Sequence, residues 1–150
     1  MRAILQRVKQ ASVSVEAEQV AHIGPGLLVL LGLESEDSDE DIRWLADRIA
    51  RLRLFPDHTG AWNLSVVEAN GEVLVVSQFT LFASTRKGSK PSWHRAAKPD
   101  FAEPMCVRFI EYLNGLLPKA AGVGRFGAMM DVALINDGPV TLIIDSKLRE

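Results

Sequence analysis

Two stretches of this chain have no polar face. Gly26-Leu27-Leu28-Val29-Leu30-Leu31-Gly32-Leu33 and Val73-Leu74-Val75-Val76 are short, apolar and rich in strand-forming residues, the pattern of strands buried on both faces. The second run does not finish as a core strand should. Its continuation, Ser77-Gln78-Phe79-Thr80-Leu81-Phe82, brings three neutral hydrogen-bonding side chains into a segment that reads as one strand from Glu72 to Phe82. Buried polar groups are costly unless paired. The strand is therefore expected to form the floor of a binding site.

Around these runs the periodicity is easier to read. Arg2 to Lys9 and Ser12 to Ala17 alternate as two strands, with Val13 and Val15 on the inner face of the second, and Gln19 to Ile23 reads as a short third. Gly24-Pro25-Gly26 is a turn, so the opening predicts an antiparallel meander and not a β-α-β unit. Ser38-Asp39-Glu40-Asp41 has the acids of a capped helix start, and Ile42, Leu45, Ile49 and Leu52 recur on one helical face. Phe55 to Gly60 stops that helix, and Ala61 to Leu64 reads as a short strand or loop. A second helix begins at Asp100 or Ala102, with Met105, Phe109, Ile110, Leu113 and Leu117 on its apolar side. Met129 to Asn136 and Val140 to Asp145 read as strands joined by a turn at Asp137-Gly138-Pro139. The count favours a single α+β domain, residues 1–150, with a mixed, largely antiparallel sheet and two main helices.

Composition removes several function classes. With 47% hydrophobic and 24% charged residues, the chain has the make-up of a globular soluble domain. No apolar run approaches the roughly 20 residues that span a bilayer, and Met1 to Arg7 lacks the unbroken apolar stretch of a signal peptide. A single cysteine, Cys106, fits a reducing compartment, so the expected location is cytoplasmic, with no membrane partner. A net charge of -2 argues against coating nucleic acid by bulk charge, and DNA is not an expected partner. The charge is uneven, however. Glu34 to Asp41 holds six acids and no base, whereas Thr85 to Lys98 holds five bases (Arg86, Lys87, Lys90, Arg95, Lys98) and no acid. A long basic loop inside a compact domain is uncommon unless functional. It reads either as the grip on an anionic ligand or as a plain solvated loop.

Many chemistries have no residues to run on. The sequence has no Cys/His set at zinc spacing, no glycine-rich phosphate loop and no G-x-S-x-G elbow, so no metal or cofactor is expected. His22, His58 and His94 are scattered through turns and loops, and Cys106 sits in an amphipathic helix as a small apolar residue. Two polar constellations remain: Ser77-Gln78-Phe79-Thr80 and Asn136-Asp137-Gly138-Pro139-Val140-Thr141. If the first stays a regular strand, Gln78 and Thr80 share one face while Ser77 and Phe79 share the other. Taken alone, the second is an ordinary hairpin turn.

Together with Met1-Arg2-Ala3, Gln6-Arg7-Val8, Ile23 to Val29, Asn63-Leu64-Ser65, Thr85-Arg86-Lys87-Gly88 and Arg125-Phe126-Gly127-Ala128, these two constellations resemble the D-aminoacyl-tRNA deacylase family nearly end to end. The resemblance implies a barrel-like, homodimeric, cytoplasmic carboxylic ester hydrolase that proofreads charged tRNA. It would cleave D-amino acids, and glycine mischarged on tRNA-Ala, from tRNA while sparing L-aminoacyl-tRNA. By the same resemblance, Gly138-Pro139 is a cis pair that enters the partner subunit's active site and rejects L-residues sterically. Ser77, Gln78, Phe79 and Thr80 form the catalytic segment and position the substrate, while the 2′-hydroxyl of the tRNA assists catalysis. Arg7 is a candidate for pinning the Gly138 and Pro139 carbonyls. Arg86, Lys87 and Lys90 fit contact with acceptor-stem phosphates, with Trp93 available for stacking. Two departures from the family pattern are Met129, where an acid is commoner, and Trp93-His94, in place of a Phe-containing pair. Two other readings compete: a different editing hydrolase, such as the editing domain of archaeal threonyl-tRNA synthetase, and a non-catalytic tRNA-binding module.

Overall fold

A computed structural model describes residues 1–149. Its organising element is β1 (Arg2–Val15), a single 14-residue strand where the sequence pattern predicts two. One edge of β1 carries β2 (Glu18–Ile23) along its second half and β3 (Gly26–Gly32) along its first, both antiparallel. The opening is therefore a long hairpin whose return strand is broken at Gly24-Pro25, and not a three-stranded meander. Register shifts near Val8 explain both departures. Ala3 and Leu5 point to one core, whereas Val8, Ala11 and Val13 point to another, so the strand changes its inner face without stopping.

From β3 the chain crosses through α1 (Asp39–Arg51), whose start is fixed by the Asp41 carboxylate accepting from the Ser38 amide at 2.9 Å. Ile42, Leu45 and Ile49 are buried, as their helical spacing requires. A short hairpin of β4 (Phe55–Pro56) and β5 (Trp62–Leu64) follows. Then β6 (Glu72–Ser77) enters the sheet parallel to β3. These two strands are the runs without a polar face, and each is buried on both sides. Helices cover one side: Ala102, Met105, Phe109 and Leu113 of α2 (Pro99–Asn114) join α1 over Leu27, Val29, Leu31, Val73 and Val75. On the other side Leu28, Leu74 and Val76 meet Val8, Ala11, Val13 and Ile23.

The two-residue β7 (Gly122–Val123) extends the sheet beyond β6. A Cβ built on Gly122 would lie 3.5 Å from that of Ala21, so β7 reaches the β2 side and the sheet curls into a nearly closed barrel. The last strand, β8 (Asp131–Asp145), pairs with the free edge of β1 along its length. Among the described residues, no helix is long and apolar enough to cross a membrane.

Candidate active site

The polar end of β6 is built by the end of its neighbour. The β3–β6 ladder stops at Leu31↔Ser77, and the Gln78 amide makes one last bond to the Leu31 carbonyl at 2.7 Å. The chain then winds into a 3-10 turn, Phe79–Phe82. The turn rests on Gly32, where an added Cβ would meet the Leu81 Cβ at 3.0 Å and the Gln78 carbonyl at 3.1 Å. Only a glycine admits so close an approach. Phe82 is buried beneath the turn, with the Arg2 and Arg95 guanidinium carbons 4.9 and 5.4 Å from its ring centre. Arg2 Nη1 also donates to the Leu81 carbonyl at 2.7 Å.

This corrects the expectation of a strand running to Phe82. The strand ends at Ser77 because β3 offers no ladder beyond Leu31, so the alternation of faces from Ser77 to Thr80 does not hold. Ser77, Gln78 and Phe79 line one cavity, and Thr80 lies outside that lining. The Thr80 hydroxyl accepts a hydrogen bond from Gln78 Nε2. The leading amides of the turn, Phe79 and Thr80, have no partner within it.

The cavity measures about 680 Å³. Its lining includes the apolar Leu31, Leu33 and Val76 at its base, Ala97 and Ala102 around the start of α2, and a wall of residues 126–130. At its exposed rim Phe79 and Trp93 meet edge to face, with ring centres 5.8 Å apart at 87°. Trp93 therefore borders the cavity as well as the basic loop, with 42% of its surface exposed. Among the described residues, none lining the cavity is ionisable. Cys106 is buried, and burial, reinforced by Glu103, pushes its thiol up to about 11, which leaves it unreactive. No three His, Cys, Asp or Glu side chains among the described residues lie together where they could hold a metal ion. The 126–130 wall, Phe-Gly-Ala-Met-Met, has no periodicity and no ionisable group to mark it as site-forming; its only sequence signal is that Arg125 to Ala128 belongs to the resemblance.

The second polar constellation is a protrusion and not a pocket. The pairs Gln6↔Thr141 and Val8↔Asn136 bracket one residue of β1, Arg7, and four of β8, Asp137 to Val140. Those four residues bulge out of a strand that otherwise runs unbroken, which replaces the simple turn read from the sequence. Val140 anchors the bulge in the core, while Gly138 and Pro139 are exposed. The peptide bond between them is cis, and Gly138 has φ +129. A Cβ at Gly138 would lie 2.8 Å from Val140 Cγ2 and 3.0 Å from Arg7 Nη2. Asn136 Nδ2 donates to the Thr141 hydroxyl at 3.1 Å, across the neck of the bulge.

Arg7 is buried behind this bulge. Its Nε donates to the Asp137 carbonyl at 3.3 Å and lies 3.2 Å from the Asp137 carboxylate, and its Nη1 donates to the Leu54 carbonyl. The guanidinium thus holds the residue before Gly138, not the Gly138 and Pro139 carbonyls expected for it. Neither Gly138 nor Pro139 lines the cavity of its own chain. The basic loop is pinned at its base by paired amide–carbonyl bonds between Ser84 and Ser92, at 2.6 and 3.0 Å. Arg86, Lys87 and Lys90 stand exposed at its tip, while Arg95 is tied back to Glu34 at 3.2 Å.

Residues 4–145 match the family described as D-Tyr-tRNA(Tyr) deacylase. The chain belongs to this family. The match runs from β1 to the end of β8, so it takes in both the cavity and the Asp137–Val140 bulge. D-aminoacyl-tRNA deacylases of Dechloromonas aromatica and Opitutus terrae are each 55% identical to the chain over 150 residues, covering all of both sequences. A solved structure described as a c-Myc DNA unwinding element binding protein superposes with a TM-score of 0.91 at 41% identity, covering 97% of this chain and 98% of that one. A probable eukaryotic D-amino acid tRNA deacylase shares the fold at TM-score 0.82 and 20% identity, covering 95% of this chain and 97% of that one.

Proposed function

We propose that the protein is an aminoacyl-tRNA editing hydrolase that cleaves the ester of D-aminoacyl-tRNA and of glycyl-tRNA mischarged on tRNA-Ala, and that it works in the cytoplasm as a homodimer. The activity follows from its family. The observation that carries the mechanistic reading is the separation of two surfaces. Among the described residues the cavity has a neutral lining with no ionisable group, while the exposed Gly138-Pro139 bulge lies outside it. A second copy completes the site by bringing its bulge to this cavity.

An apolar surface supports that pairing. Ile4 and Ile143 face each other across β1 and β8, Ile143 is 72% exposed, and both line a groove that Leu81 of the catalytic turn also borders. Exposed apolar patches of this kind mark association surfaces. A copy seated here would cover a face that reaches both the 3-10 turn and the strand carrying Gly138-Pro139.

Within the completed site, the backbone of Gly138-Pro139 forms a wall against the substrate Cα. It leaves space for hydrogen on the side where an L-residue carries its side chain. D-residues and glycine fit, and L-residues clash, whatever the side chain. The ester is already activated, and the neighbouring 2′-hydroxyl of the tRNA assists its hydrolysis. The protein supplies orientation and main-chain donors from the Phe79–Thr80 turn, contributions that lower a barrier without a protein nucleophile. Arg86, Lys87 and Lys90 hold acceptor-stem phosphates.

The test is hydrolysis of D-tyrosyl-, L-tyrosyl- and glycyl-tRNA-Ala side by side. Turnover of the D- and glycyl esters with the L-ester spared is the expected result. Equal turnover of D- and L-esters would sink the steric reading, and no turnover of any would leave only a tRNA-binding module.

A further inference from the structure

Trp62 is a large apolar side chain that belongs to neither core, and 53% of it is exposed. It stands on the β4–β5 hairpin with its ring centre 5.1 Å from the Arg7 guanidinium carbon. The same guanidinium faces Leu54, Asp137 and Gly138. The Leu54 carbonyl accepts from Nη1, the Asp137 carbonyl and carboxylate lie at 3.3 and 3.2 Å from Nε, and the Gly138 backbone sits so close that an added Cβ would be 3.0 Å from Nη2. The indole lies over the guanidinium, which is almost fully buried while Trp62 itself stays half exposed.

That cap matters because the ion pair is uneven. The Arg7 side chain is 7% exposed, whereas that of Asp137 is 38% exposed. The exposed carboxylate end of the pair is screened by water and adds little hold on Asp137. An aromatic face over the cation adds attraction of its own and excludes water from the pair. The backbone held by this arrangement is Asp137-Gly138, the near end of the bulge.

We propose that Trp62 is a positioning residue for substrate chirality: by covering Arg7 it fixes the backbone of Gly138 tightly enough to tell a hydrogen from a side chain at the substrate Cα. This rests on the reading of Gly138-Pro139 as the rejecting wall. Steric discrimination fails through small displacements, because a wall that yields by a few tenths of an ångström admits what it excluded. Loosening the support should therefore relax rejection of the L-substrate before it harms hydrolysis of the D-substrate.

The experiment measures kcat/KM on D- and L-tyrosyl-tRNA for wild type, Trp62→Ala, Trp62→Leu, Trp62→Phe and Gly138→Ala, with thermal unfolding of each. Trp62→Leu keeps apolar cover without a ring face and serves if the alanine variant does not fold. The expected result is an L/D ratio raised about fivefold by Trp62→Ala and by Trp62→Leu, the scale of one lost cation–aromatic contact. Trp62→Phe should restore most of the discrimination. An unchanged ratio in the Trp62 variants, beside a raised ratio in Gly138→Ala, overturns this inference and leaves the wall standing. D- and L-rates falling together in the Trp62 variants overturn it as well, since that is what a merely structural residue would do. An unchanged ratio in Gly138→Ala overturns the wall itself, and the role of Trp62 with it.

Discussion

The two polar regions of this molecule are built in opposite ways. The cavity beside Ser77–Phe79 is concave, apolar at its base and free of ionisable lining among the described residues. The Asp137–Val140 bulge is convex, exposed at Gly138 and Pro139, and backed by a buried arginine. A cavity without charge can orient an ester but has little to activate a nucleophile with. A protrusion fastened by Arg7 can exclude but has nothing to bind with. On the function proposed above, the two tasks of an editing enzyme, holding and refusing, fall to separate parts of the chain.

The comparison breaks most sharply if the chemistry proves to lie in the cavity side chains. A D-aminoacyl-tRNA ending in 2′-deoxyadenosine should be hydrolysed roughly 100-fold more slowly or worse, as expected for loss of a positioned catalytic hydroxyl. Full activity would mean that a protein group does the work. Next in size is the wall. Gly138→Ala forces a Cβ to 2.8 Å from Val140 Cγ2 at a φ of +129, where the backbone must shift. L-tyrosyl-tRNA hydrolysis relative to D should rise roughly 10- to 100-fold, the range that steric pockets supply.

A smaller effect separates grip from chemistry. Replacing Arg86, Lys87 and Lys90 together by alanine should raise KM about tenfold at moderate salt and flatten the salt dependence, since phosphate contacts act through counterion release. A fall in kcat instead would place the loop nearer the reaction. The smallest change should come from Thr80→Ala. It removes a hydroxyl bonded to Gln78, worth about 1 kcal/mol as a neutral hydrogen bond, so kcat/KM should fall less than about tenfold. A loss of several orders of magnitude would instead make Thr80 a nucleophile.

Much of the architecture was readable because it follows from period and composition. The two apolar runs became the doubly buried strands β3 and β6, and the spacing of Ile42, Leu45 and Ile49 gave the buried face of α1. The errors fell where pairing partners decide local structure. Nothing in Ser77-Gln78-Phe79-Thr80 says that the strand must stop at Ser77; that follows from β3 ending at Gly32, forty-odd positions earlier. Likewise β8 reads as two strands and a turn, but its halves share one partner, and β1 keeps them in line with the bulge between.

The site divides in the same manner. The polar signatures at Ser77–Thr80 and Asn136–Thr141 were visible as residue types, and their joint resemblance to one family was enough to name the chemistry. The supporting residues were not. Trp62, Leu54 and Arg7 are scattered along the chain and meet only behind Gly138, while Phe126 and Met130 reach the cavity only because the sheet curls toward closure. Sequence by itself determined which segments bury and which segments carry polar residues out of keeping with a core, because hydrophobic period and side-chain chemistry are local. The tertiary structure alone decided that one polar segment lines a hollow and the other stands proud of a strand, because that depends on where a neighbouring strand stops offering hydrogen bonds.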